Sequence, residues 1–93
     1  MYTITLSDHD LPTLKSILKK EITILEKRLK SFNKEIDAYE KKYGMSSSKF
    51  MEKYNKGYLD DSKDFVDWNI DLLAVYDIKQ RLKSIKELYV QCK

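Results

Sequence analysis

The sequence predicts an all-α fold, an antiparallel hairpin of two long helices joined by a short one. Three observations carry that expectation. Apolar residues recur at steps of three and four along most of the 93 residues. The chain has two glycines and one proline, and each falls where a helix should start or stop. Serines and aspartates follow the glycines, where they can cap the next helix.

The first long helix is expected over about residues 10 to 43. Pro12 suits a first turn, where its missing N–H breaks no hydrogen bond, and Asp8 and Asp10 put negative charge at the helix start. Leu11, Leu14, Leu18, Ile22, Leu25, Leu29, Phe32, Ile36, Tyr39 and Tyr43 form its apolar seam. From Ile22 onward the steps alternate three and four, the heptad pattern of a coiled coil. The step of four from Leu18 to Ile22 breaks strict register, so the first turns should diverge from an ideal coil.

Gly44 stands where a left-handed C-terminal cap belongs, and Ser46 or Ser47 can cap a short helix over residues 46 to 56. Phe50, Met51 and Tyr54 give that helix an apolar face, and Gly57 ends it. Asp60, Asp61 or Ser62 caps the last helix, expected over residues 62 to 92. Its seam is Phe65, Trp68, Leu72, Val75, Ile78, Leu82, Ile85, Tyr89 and Cys92, widened by Val66, Leu73, Tyr76 and Leu88. Ahead of all this, Tyr2, Ile4 and Leu6 alternate with threonines. Residues 1 to 8 therefore read as an extended arm lying on a helix, or as a strand that needs a partner.

A chain this short is one domain with a thin core. No apolar run is long enough to span a bilayer, and the start lacks the basic and apolar regions of a signal peptide. Cys92 is the only cysteine, so no internal disulfide forms, which agrees with a reducing, cytoplasmic setting. Two helices cover only one stripe each, whereas Ile17, Ile24, Val66, Leu73 and Tyr76 fall beside the seams. A second hairpin would cover that excess, so the sequence favours a homodimeric four-helix bundle. The alternative is a monomer whose short helix caps the core, with Trp68 meeting Phe50 and Tyr54 near the hinge.

Charge is sorted along the chain. Residues 59 to 77 hold six aspartates and one lysine, net −5, whereas residues 11 to 34 carry net +5 and residues 78 to 93 net +4. Folding back would make the hinge end acidic and the open end basic. Lys15, Lys19, Lys20, Lys27, Arg28, Lys79, Arg81, Lys83 and Lys86 are the candidate contacts for nucleic acid there. The bland alternative is a last helix acidic at its start and basic at its end, complementing its own dipole.

No catalytic, metal or cofactor site is expected. The sequence has neither a Gly-rich phosphate loop nor a Cys/His cluster at metal spacing. Ser46, Ser47 and Ser48 lack a base, because the single histidine, His9, lies a helix length of about 50 Å away. The aspartates at 60, 61, 64, 67 and 71 read as a solvated face rather than a cation site.

Residues 39 to 68 carry a recognisable pattern: Lys42, Tyr43, Gly44, Met45 and Ser46, then Phe50, then Lys56, Gly57 and Leu59, then Asp61, Asp64, Phe65 and Trp68. This third of the chain resembles small uncharacterised helical proteins of archaea and bacteria that look like the antitoxin halves of two-gene toxin–antitoxin pairs. The resemblance implies a non-catalytic module that binds and masks a cognate, toxin-like protein. Phe50, Tyr54, Tyr58 and Trp68 would then form or support the contact surface.

Overall fold

The computed structural model describes residues 11–91. The expected N-terminal arm, His9 and Cys92 lie outside the described residues. Three helices account for the fold: α1, Leu11–Tyr43; α2, Ser47–Asn55; and α3, Lys63–Gln91. No strand occurs among the described residues. α1 and α3 pack along their seams as the arms of a hairpin, and α2 closes the hinge between them.

The helix ends follow from their capping residues. At the end of α1, Gly44 takes φ +61° and the Met45 N–H reaches back to the Glu40 carbonyl at 3.3 Å, satisfying a terminal carbonyl. Ser46 then caps α2, its Oγ accepting from the Lys49 N–H at 3.1 Å. Gly57, at φ +76°, ends the short helix in the same way, with the Tyr58 N–H bonded to the Lys53 carbonyl. Ser62 opens α3, its Oγ accepting from the Phe65 N–H, while Asp60 accepts from the Ser62 N–H.

The core has two sections. At the hinge, Ile36, Phe50, Trp68 and Val75 are buried together, ringed by Tyr39, Tyr43, Tyr54 and Phe65 among others. Phe50 and Trp68 stack with ring centroids 4.0 Å apart and 6° between planes, both at 0% exposure. Toward the open end the core narrows to Leu25, Ile78 and Leu82, flanked by Ile22 and Ile85. The molecule measures 56 × 26 × 18 Å, so past the hinge it is a single layer of two helices. Among the described residues no helix is long and apolar enough to cross a membrane.

Candidate protein-binding surfaces

The three serines of the hinge serve structure. Ser46 caps α2 through its Oγ. The Ser47 Oγ accepts from Trp68 Nε1 at 3.0 Å, and the Ser47 N–H donates to Glu40 Oε2 at 2.7 Å. Together these bonds tie α1, α2 and α3 at one point. Ser48 is exposed.

The aromatic residues singled out in the sequence divide by burial. Phe50 and Trp68 have no exposed surface, so they hold up the hinge from beneath and present no atom to a partner. Each is in stacking contact with several rings, which is what draws it inward. Tyr54 is half-buried against Phe50, its hydroxyl 3.3 Å from Asp61 Oδ1. Tyr58, between the glycine cap and α3, is exposed.

The basic residues do not gather on one face. Lys19 and Lys20 are adjacent on α1, as are Lys27 and Arg28, so each pair points about 100° apart around the helix. Lys15 lies over the Tyr89 ring at 5.2 Å, which brings the start of α1 to the end of α3 at the open end. Lys79, Lys83 and Lys86 are exposed on α3. Arg28 and Arg81 line a groove between the long helices, with Ser31 and Glu35 beside Arg28 and Asp77 paired to Arg81 at 3.0 Å. Leu25, Phe32 and Ile78 form its apolar floor.

One carboxylate departs from the solvated face expected of the aspartate run. Asp71 is 6% exposed, on the seam of α3 between Trp68 and Val75, and its Oδ2 has no hydrogen-bond partner. Burial, then a shared hydrogen bond and charge repulsion with Glu35 of α1, and the charge of Asp67, push its carboxyl up to about 6. The spacing 68, 71, 75, 78 already places residue 71 on the seam; its charge hid it. Of the other aspartates in the run, Asp60 and Asp61 are exposed and Asp67 is half-buried. Asp64 accepts from Lys42 Nζ at 2.6 Å and from the Tyr43 hydroxyl, and these two bonds hold its carboxyl below the usual range. Among the described residues no group of three or more His, Cys, Asp or Glu side chains is placed to hold a metal ion.

The remaining surface feature is apolar. Leu73 and Tyr76, on the side of α3 turned away from α1, are 57% and 67% exposed, and Val66 stands half-buried one heptad before Leu73. α3 therefore carries apolar side chains on its outer side as well as along its seam. Comparison of the chain with protein-family models, with curated proteins and with solved structures gave no match.

Proposed function

We propose that the chain is a non-catalytic protein-binding module of the antitoxin-like kind, a homodimer that covers and masks a cognate protein. The outer side of α3 carries this reading. A helix of a globular protein is ordinarily apolar on the one stripe that meets its core. α3 keeps a leucine and a tyrosine in water on the opposite side, where they lower solubility unless something covers them. Tyrosine also combines a large apolar surface with a polar tip, which favours it at protein interfaces. Tyr58 adds an exposed ring at the hinge, and Tyr54 beside it is partly accessible.

Affinity capture from the native cell lysate tests this, using the wild-type chain beside Leu73→Glu and Tyr58→Ala. A single small partner, recovered in stoichiometric amount after nuclease treatment and at raised salt, and lost with Leu73→Glu, is the expected result. Equal recovery with the wild-type and Leu73→Glu chains, both folded, sinks the reading.

A second reading has one observation behind it. The Lys15–Tyr89 contact brings together the two ends whose segments carry net +5 and net +4. That open end would bind the phosphate backbone of a nucleic acid, with affinity falling steeply as salt rises. Absence of any gel retardation of duplex or single-stranded nucleic acid at low salt ends it.

A further inference from the structure

The groove between α1 and α3 extends beyond the part lined by Arg28, Phe32 and Glu35. A second depression, lined by Glu21, Arg81, Ser84 and Ile85, shares Arg81 with the first, so the groove runs on toward the open end. Heptad spacing lengthens both banks. Ile24 and Ile17 stand one and two heptads before Ser31 on α1. On α3, Ile70 stands one heptad before Asp77, and Leu88 one heptad after Arg81. All four apolar residues are exposed. This side of the hairpin is thus apolar at its ends and ionic in its middle. Only two of the eighteen basic residues are arginines, and both line this groove, whereas no lysine lines either depression. Arginine is the cation suited to partly desolvated carboxylate pairs, and lysine the one suited to open water.

We propose that this grooved side is where a second copy of the chain docks, hairpin against hairpin and head to tail, closing a four-helix bundle. The proposal rests on the homodimer of the preceding reading and specifies its face and direction. Charge decides the direction. Head to tail, the basic open end of each hairpin lies over the acidic hinge end of the other, whereas head to head sets like charge on like at both ends. One register then satisfies α3 along its length. It sets Ile70 against Leu88 of the partner subunit, Ala74 against Ser84 of the partner subunit, and Asp77 against Arg81 of the partner subunit. All three pairs centre on residue 79, so a two-fold axis there makes each of them twice. The patch from Ile70 to Leu88 is about 27 Å long. Across two helices packed side by side, about 20 Å, it covers roughly 500 Å² per copy, so the pair reaches about the 1,000 Å² that a specific interface needs. Leu73 and Tyr76 remain outside the bundle, free for a different protein.

Sedimentation equilibrium of the full chain, followed by cross-linking, tests the proposal. The wild-type chain should be a dimer, and Ile70→Glu, at an exposed position, should be a helical monomer. Arg81→Asp should weaken the dimer about tenfold or more, and adding Asp77→Arg should restore it, because both the internal and the cross-copy pairs are then rebuilt. For direction, Ile70→Cys and Leu88→Cys chains are prepared separately, each with Cys92→Ser, and mixed under oxidation. A disulfide between the two kinds of chain is expected, in preference to one between two chains of the same kind. Three results overturn the proposal: a wild-type monomer at every attainable concentration, a dimer that survives Ile70→Glu, or cross-links only between like chains. Loss of partner capture with Leu73→Glu while the dimer persists separates this proposal from the function it rests on. A monomer that still captures the partner through Leu73 would leave that function standing and remove only the dimer.

Discussion

The hinge half and the open half of this hairpin use the same heptad seam and reach different results. At the hinge three helices converge, so Phe50 from α2 can lie flat on Trp68 from α3, with Tyr39 and Tyr43 from α1 closing the other sides. At the open end there is no third helix. Leu25, Ile78 and Leu82 are buried between two helices, and Ile22 and Ile85 beside them are only half-buried. The seam supplies adhesion in both halves, but only the hinge has enough elements to close a core on itself. Surface left over in the thin half and along α3 is where recognition has room to act.

Truncation at the centre of the hinge should break this contrast most severely. Trp68→Ala removes the larger of the two fully buried rings and its hydrogen bond to Ser47, and should cost about 3–5 kcal/mol in urea unfolding, with α2 released. Leu82→Ala in the open half should cost about 2–3 kcal/mol, because that site is shallower and can collapse around the loss. Equal effects would mean that the two halves share one core.

Asp71 sits within the hinge section, between Trp68 and Val75, and gives stability a pH dependence. Its folded carboxyl titrates near 6 against an ordinary value of 3.8, so the fold disfavours the ionised form. That stability is fully present below pH 3.8 and is lost as pH rises through 6, a fall of up to about 3 kcal/mol. Denaturant titrations at pH 4.5 and 7.5 should show the fall in the wild-type chain and a flat response in Asp71→Asn. In Asp71→Asn the amide can still donate to Glu35 without carrying charge.

Smaller changes sharpen the account of the hinge. Ser47→Ala leaves the indole N–H of Trp68 without an acceptor in a closed core, an expected loss of about 1–2 kcal/mol in the same assay. Gly44→Ala should cost about 1 kcal/mol through backbone strain alone, because φ is +61° there and a Cβ would meet no atom within 4 Å. A stability unchanged by Gly44→Ala would show that the α1 terminus can unwind by a residue without loss.

Much of the fold is legible in the sequence, since its signals are local. The three-and-four steps from Ile22 to Tyr43, the glycines at 44 and 57 and the serines at 46 and 62 mark the four helix ends around the hinge to within about a residue. The meeting of Trp68 with Phe50 was also readable, because the short helix has to fold back onto the hinge; Tyr54 reaches that stack through Phe50. Two features were not. Asp71 has the spacing of a core residue and the chemistry of a surface one, and only the packed hairpin shows that spacing won. The groove holding Arg28 and Arg81 depends on how α1 and α3 rotate against each other, which periodicity within one helix does not encode. Phe50 and Trp68 were candidates for recognition because aromatic residues serve both interfaces and cores; the third helix assigns them to the core.

The most direct test of the contrast between the halves is amide hydrogen exchange followed along the chain at low and at high protein concentration. At both concentrations the hinge segments around Ile36–Tyr43, Phe50–Tyr54 and Phe65–Val75 should exchange slowest, while the open-end segments exchange quickly when dilute and slow down as a second hairpin covers them. Uniform protection along α1 and α3 in dilute solution, or an α2 that exchanges as fast as the helix ends, would contradict the account of a closed aromatic hinge joined to an open, partner-seeking end.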